Sequence, residues 1–473
     1  MNYRRLLLFL VLLIPVLAVP VNGQVISEPD KRETQALKLF HEGDNEQAQK
    51  LLLEIVNEKG RHPYARYNLA CVLTARCETD EAFTNLRQAF LDGFLDIHHL
   101  QRDPDLAPLR ETPRYGAFLR ELTSLRAEQT ANRIKDTLAH LGTGYITEND
   151  DKHNLIFITS LDAASRAEMK SMIARLFDAA ITQIFDQGLE FPVIVIIPRP
   201  DDYSRLVRQS NIGGFYLHDQ GQLISRTIGA NLRHELIHSL HWADMDRRNQ
   251  VHPIWIQEGL ASLFEDVKLE KNNFTAEPSW RTNIVKRLAG MNRLTHLETL
   301  VEMDRKRFAT YRPSRNYAEA RTLFMFIADR GELHDWYEKY TDTFSDDPTG
   351  LQAILTIMKQ EDVRELEKQY ADWIRKLPEV EEVVAPGGAS LGVTVNDRNA
   401  SDGVLIKEVH PGTGAARAGL RPGDVIVAVN GKTVQSTRDI TRILGGLDVG
   451  RKIKLRLRRE GEYFTRYVEL TPR

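Results

Sequence analysis

Apolar positions along this 473-residue chain follow two different periods. From about 32 to 130 they recur at helical spacing, as in "ALKLFHEGDNEQAQKLLLEI" (Ala36–Ile55) and "NLACVLTARCETDEAFTNLRQAF" (Asn68–Phe90). From about 131 the pattern changes. "NLIFIT" (Asn154–Thr159) and "PVIVIIP" (Pro192–Pro198) are short, β-branched and apolar, which predicts strands. Ala164–Gln187, between them, has helical periodicity, and Gly214–Arg226 reads as a hairpin turning near Asp219-Gln220-Gly221. The stretch from about 254 to 376 is helical in pattern, so strands precede helices, an α+β plan. Residues 378–389 read as a linker rich in acids, Pro and Gly, and strands return over 390–473, where basic residues outnumber acidic ones.

The two helical stretches align at a fixed offset. Leu39 matches Leu73, Ala48 matches Ala82 and Leu52 matches Leu86, each 34 residues apart. Thirty-four is the tetratricopeptide period, and 32–130 resembles a degenerate tetratricopeptide pair capped by the helices that follow. That resemblance implies either a binding platform or a helical spacer.

Composition removes some function classes. A formal charge of −3 gives no overall attraction to nucleic acid, and no Lys/Arg cluster interleaved with aromatics suggests a nucleic-acid groove. Arg4 and Arg5 followed by an apolar run from Leu6 to Val21 form the pattern of a secretory leader, residues 1–23, cut before Gln24. The mature protein is therefore expected to be exported, periplasmic or extracellular, with membrane contact only through an uncleaved leader. Cys71 and Cys77, six apart in a helical pattern, face nearly opposite ways and read as free thiols.

The candidate chemistry sits in "LRHELIHSLHW" (Leu232–Trp242). His234 and His238 share one helical face, with side chains ~5–6 Å apart, so two ring nitrogens can converge on one cation. With Glu235 between them this is H-E-x-x-H, in which the glutamate takes a proton from metal-bound water. His241 lies too far along the helix from His234, a rise of ~10 Å, to share the ion. The expected third ligand is Glu258 in "WIQEGLASLFED" (Trp255–Asp266), 20 residues past His238 on a returning helix.

This constellation resembles the gluzincin zinc metallopeptidases over roughly 150–376. The resemblance implies a thermolysin-like α+β domain, 131–377, holding Zn²⁺ on His234, His238 and Glu258, with water as fourth ligand and Glu235 as general base. It also implies a tyrosine donor some sixty residues past Glu258, for which Tyr317 is expected and Tyr311 is the alternative. An edge strand, Gln222, Leu223, Ile224 and Ser225, is expected to pair with substrate backbone. Many gluzincins carry an acid four residues past the glutamate ligand; here that position is Ser262, with Glu265 or Asp266 as substitutes.

Residues 390–473 resemble a PDZ domain of exported bacterial proteases. "SLGVTV" (Ser390–Val395) matches the carboxylate-binding loop and groove strand, and "TRDITRILGGL" (Thr437–Leu447) the groove helix. The backbone N–H groups of Leu391, Gly392 and Val393 are expected to bind a C-terminal carboxylate. The reading is thus a multidomain α+β exported zinc peptidase, with flanking domains that recruit a peptide or protein substrate. The competing reading is a non-enzymatic peptide-binding scaffold with an inert peptidase fold. A narrower alternative, a glycyl-type aminopeptidase, needs an acidic anchor for a substrate amine.

Overall fold

The computed structural model describes residues 31–472 apart from 59, 95, 208–212, 271, 381–388, 397–402, 435–436, 445–446 and 448. The expected leader and most of the expected linker lie outside the described residues. The chain divides into two compact units: Met1–Thr147 with Pro198–Gln209 and Leu217–Gln222, and Glu148–Ile197 with Ser210–Tyr216 and Leu223–Arg473.

The first unit is helical. Two helical pairs, α1 (Lys31–His41) with α2 (Asn45–Val56) and α3 (Pro63–Ala75) with α4 (Thr79–Asp92), are followed by α5 (Ile97–Arg102), α6 (Ala107–Arg110) and the long α7 (Tyr115–Leu141). Ala48, Ala82, Leu52 and Leu86 are fully buried, so the residues that match at the 34-residue offset pack at equivalent places on α2 and α4. Small residues there let neighbouring helices approach closely. α7 runs without interruption through 130–131, where the sequence pattern suggested a boundary, because its apolar spacing continues to Leu141. Both cysteines are free, Cys71 buried and Cys77 exposed.

A five-stranded sheet begins the second unit. Its strands β1 (Ile146–Asp150), β2 (Leu155–Thr159), β3 (Val193–Ile197), β4 (Gly214–Leu217) and β5 (Gln222–Ser225) lie in the order β1-β2-β3-β5-β4. β2 and β3 pair in parallel, joined by the crossover helix α8 (Ala163–Ala180), and all five residues of β3 are buried. A strand buried on both faces reads as an unbroken apolar run, as "VIVII" does. α9 (Pro200–Leu206) follows β3 and belongs to the first unit.

After β5 come α10 (Ala230–Arg248) and α11 (Ile254–Leu263), then a β6–β7 hairpin (Val267–Glu270, Asn273–Ala276) that the helical pattern had hidden. Helices α12 (Trp280–Gly290), α13 (Leu297–Val301), α14 (Arg305–Thr310), α15 (Pro313–Ala328), α16 (Leu333–Asp342), α17 (Leu351–Ile357) and α18 (Val363–Lys376) complete this part. One apolar core joins β2, β3, α8, α10, α11, α15 and α16. α11 is buried on almost every side, which is why "IWIQEGLASL" lacks an amphipathic stripe. Gly259 makes this possible: a Cβ there would meet the Phe324 ring at 2.7 Å.

The C-terminal part has its own core. It contains β8 (Ala389–Ser390), β9 (Val393–Asn396), β10 (Val404–Val409), α19 (Gly414–Arg417), β11 (Val425–Val429), β12 (Lys432–Thr433), α20 (Thr437–Leu444), β13 (Lys452–Arg459), β14 (Glu462–Glu469) and β15 (Thr471–Pro472). The main sheet runs β14-β13-β11-β10-β9, which leaves β9 and β14 as its outer strands.

Candidate functional site

α10 carries two kinds of residue on two faces. Leu232, Leu236, Ile237 and Leu240 are fully buried in the core, whereas His234 and His238 turn toward the partly open side. α11 returns beside it and brings in Glu258. The Nε2 atoms of His234 and His238 are 3.1 Å apart, and Glu258 Oε2 lies 3.4 Å from the first and 3.6 Å from the second. A tetrahedral ion with bonds of ~2.0–2.2 Å needs donors roughly 3.3–3.6 Å apart. The three donor atoms therefore fit one divalent cation.

The ring orientation is set from behind. His234 Nδ1 lies 3.0 Å from Glu265 Oε1, so the carboxylate takes the ring N–H on that side and aims Nε2 at the cluster. Glu265 is in turn clamped by Arg281, whose Nε and Nη2 each donate at 2.8 Å. Arg233 donates to the backbone carbonyls of Phe264 and Glu265. The carboxylate missing at Ser262 is thus supplied from three residues further on. Ser262 Oγ is buried without a hydrogen-bond partner. Ser262→Ala should therefore leave urea-unfolding stability within about 1 kcal/mol of the parent, since no hydrogen bond is lost.

Electrostatics follow this geometry. Burial pushes the His234 imidazole down, but hydrogen bonds to Glu258 and Glu265 and the charge of Glu235 overcome it and raise its pKa to about 10. Burial raises Glu258, yet the charge of His238 and the hydrogen bonds from both histidines hold it well below the usual carboxylate range. Glu235, 9% exposed, is pushed up by burial, with His234 and His238 opposing and Glu258 adding. Tyr317 is driven far above the usual phenol value by burial first, then by the charge of Glu258, with Glu235 adding. The phenol thus stays protonated. Its ring packs on Phe308 at 5.1 Å and under Arg281 at 5.7 Å. Tyr311 is 53% exposed and takes no part in the cluster.

The strand expectation needs correction. Gln222–Ser225 is not an edge strand: β5 lies between β3 and β4, and all four of its residues are buried. The outer strand is β4, and β4 is the one that approaches the cluster. A Cβ on Gly214 would come within 3.1 Å of Glu235 Cγ, so glycine lets the strand pass close over that carboxylate. The error has a simple cause, since a hairpin pattern does not reveal which of its strands joins the sheet.

His241, one turn beyond His238, does not join the donor set. Its Nε2 lies 2.7 Å from His252 Nδ1, and the pair packs among Phe185, Tyr337, Tyr340 and Phe344. His252, 1% exposed, has its pKa lowered to about 3 by burial, with the Arg248 charge adding. His241 is lowered as well, by burial first. A folded-state value below the unfolded one near 6.5 means that the stability contributed by neutral His252 is complete above pH ~6.5 and is lost as pH falls toward 3. Urea unfolding should show stability dropping by up to about 1.4 kcal/mol per pH unit in that window for this one group. His252→Gln should make the slope shallower. An unchanged slope would remove His252 as its source.

Sequence reasoning named Glu265 as one of two substitutes for the acid absent at 262, and missed two other residues. Arg281 and the fully buried Arg321 carry no local signal. Arg321 donates to the carbonyls of Ser262 (2.9 Å), Asp266 (3.2 Å) and Glu277 (2.8 Å), satisfying a carbonyl in the last turn of α11, the helix that carries Glu258.

Comparison with known proteins divides the chain. Residues 389–470 match the PDZ domain family, and the C-terminal part carries a PDZ domain. Residues 228–344, which contain the histidine–glutamate cluster, match a family described as a protein of unknown function, DUF1570. Among curated proteins, the chain is 40% identical over 72 residues to the periplasmic serine endoprotease DegP of Salmonella typhimurium, covering 15% of each chain. It is 40% identical over 75 residues to the magnetosome formation protease MamE of Paramagnetospirillum magneticum, covering 16% of this chain and 10% of that one. It is also 38% identical over 60 residues to the periplasmic pH-dependent serine endoprotease DegQ of Escherichia coli, covering 13% of each. A solved HtrA-type protease, AlgW with a decapeptide, is 25% identical over 18% of this chain and 30% of that one, with a TM-score of 0.17. The chain thus spans about 15% of the length of the first of these curated relatives.

These findings correct the resemblance drawn from the motif. The curated relatives named above are the serine endoproteases DegP and DegQ and the protease MamE, not gluzincin zinc peptidases. The gluzincin grouping, the thermolysin-like description, the zinc-peptidase activity and the Zn²⁺ cofactor are set aside on that finding, since serine endoproteases of this type need no metal. The physical reason is the brevity of the signal: H-E-x-x-H specifies three residues on one helical face, which is a donor geometry and not a reaction. The serine mechanism is a property of those relatives. Among the described residues the buried serines have other partners or none: Ser225 and Ser239 donate to backbone carbonyls, Ser279 caps α12, and Ser262 is unpartnered.

Proposed function

We propose that this chain is an exported peptide-binding protein whose PDZ domain takes the free C-terminal end of a polypeptide. The observation that carries the reading is β9, an outer strand with β10 on one side, preceded by the loop Leu391-Gly392-Val393. An extended peptide can add to such an edge through backbone hydrogen bonds, with its carboxylate at the loop N–H groups. Gly392 has φ +77°, and a Cβ there would come within 2.2 Å of Thr413, so only glycine fits this turn. Relatives that share the domain are endoproteases, which handle polypeptide chains, and two of them are periplasmic. That agrees with the leader read from the sequence. Among the described residues no helix is long and apolar enough to cross a membrane.

Two further parts belong to this reading. The helical pairs α1–α2 and α3–α4 serve as a tetratricopeptide-like platform for a partner. The His234–His238–Glu258 cluster binds a divalent cation, with Glu235 and Tyr317 beside it as groups that can accept and donate a proton. Such a cation would supply positive charge to polarise a bound oxygen. Glu265 and Arg281 fix the ring of His234, and Gly214 lets β4 lie over Glu235.

The test uses labelled peptides with free and amidated C-termini in fluorescence anisotropy. The free carboxylate should bind tighter by tenfold or more, on the order of one charge-assisted hydrogen-bond set. Gly392→Ala should weaken binding by about tenfold, from a left-handed cost of about 1–2 kcal/mol. Equal affinity for the amidated peptide would defeat the reading.

A further inference from the structure

The β13–β14 hairpin carries a second surface of a different kind. Its register pairs Lys452 with Glu469, Lys454 with Tyr467, Arg456 with Thr465 and Arg458 with Tyr463. Alternation along a strand puts these eight residues on one face. The intervening Ile453, Leu455, Leu457 and Val468 are buried in the domain core, so this face is the outer one. Four of its eight positions are Lys or Arg and one is acidic, whereas the whole chain has 63 basic and 66 acidic residues. Tyr463 and Tyr467 are 52% and 67% exposed, among the most exposed large side chains described. β14 is an outer strand of the sheet, with α19 packed against its Glu469 end.

We propose that this face docks the protein on an anionic phospholipid surface. Charge complementarity carries the choice of partner. A row of cations rising ~3.3–3.4 Å per residue spaces Lys454, Arg456 and Arg458 at lipid-headgroup intervals. Each Lys or Arg near an anionic leaflet contributes roughly fivefold to partitioning. Tyrosine suits the same boundary, with an apolar ring and a polar end. A nucleic acid fits less well. The Arg456 guanidinium already sits 5.2 Å from the centre of the Tyr463 ring, so one face of that ring is taken by a cation and is not open for a base to stack on. The site is separate from the β9 groove, which lies at the opposite end of the sheet order.

The experiment is co-sedimentation of the full chain with phosphatidylcholine vesicles, with and without phosphatidylglycerol. Binding should require phosphatidylglycerol and should vanish in about 1 M salt, where screening acts within roughly 3 Å. The double variant Lys454→Gln/Arg456→Gln should lose about 25-fold in partitioning. A control with the same net-charge change elsewhere, Arg364→Gln/Lys376→Gln, should lose less than about threefold. Tyr467→Ser tests the ring separately and should weaken binding to the same vesicles. Urea-unfolding midpoints confirm that each variant is folded. Equal binding to neutral vesicles, an equal loss in both double variants, or binding to soluble heparin or DNA with none to vesicles would each overturn the proposal.

Discussion

Glu258→Gln should weaken binding of Co²⁺, used as a spectroscopic probe of a divalent-cation site, by about a hundredfold or more. The parent offers three donor atoms 3.1–3.6 Å apart, two imidazole nitrogens and one carboxylate oxygen. Glu258 brings the negative charge among those donors, so an amide in its place leaves the cation with two imidazoles and little compensation. Glu265→Gln should cost less, about 10–100-fold, because it acts through His234 and does not touch the ion. Loss of the carboxylate frees the His234 ring to rotate and removes the acceptor that fixes its Nδ1–H. The order of the two effects is the informative result. Should Glu265→Gln match or exceed Glu258→Gln, Glu258 would not be a ligand. Unchanged Co²⁺ absorption in both would remove the cation site altogether and leave the peptide-binding reading of the PDZ domain intact.

Trp255→Ala should lower unfolding stability by about 3–5 kcal/mol. Trp255 is fully buried and stacks on Phe324 with centroids 5.0 Å apart and planes at 11°. Its indole N–H donates to the Thr349 carbonyl at 3.0 Å. Truncation leaves a cavity where the α11–α15 packing is tightest and strands a buried carbonyl. A shift of Glu258 follows, since that residue is three positions along the same helix. Co²⁺ affinity should therefore fall along with stability, in contrast to Glu265→Gln, which should affect affinity far more than stability. Chemical denaturation with parallel Co²⁺ titration separates the two. A loss below about 1 kcal/mol would mean that the site collapses around the missing ring.

Much of this molecule is legible without coordinates. The period of the apolar residues marks the helical first unit and the buried strands, because backbone geometry imposes 3.6 on helices and 2 on strands, while the PDZ segment was read from its resemblance to that family. The spacing of His234 and His238 likewise implies a shared face, and Glu258 was expected opposite them from its place in a second helical run. What escaped depends on partners far apart in sequence. β6 and β7 are four-residue strands hidden between helices, and α7 passes through a change in pattern that looked like a border.

Local pattern determined most of the helices and the buried strands and which side chains they turn inward, since those follow from covalent periodicity and burial of apolar surface. Only the tertiary structure decided that β4 and not β5 is the outer strand, that Glu265 rather than a residue at 262 orients His234, and that Arg281 and Arg321 hold these groups in place. Each depends on a contact set by how elements pack, and such contacts leave no spacing in the chain to read.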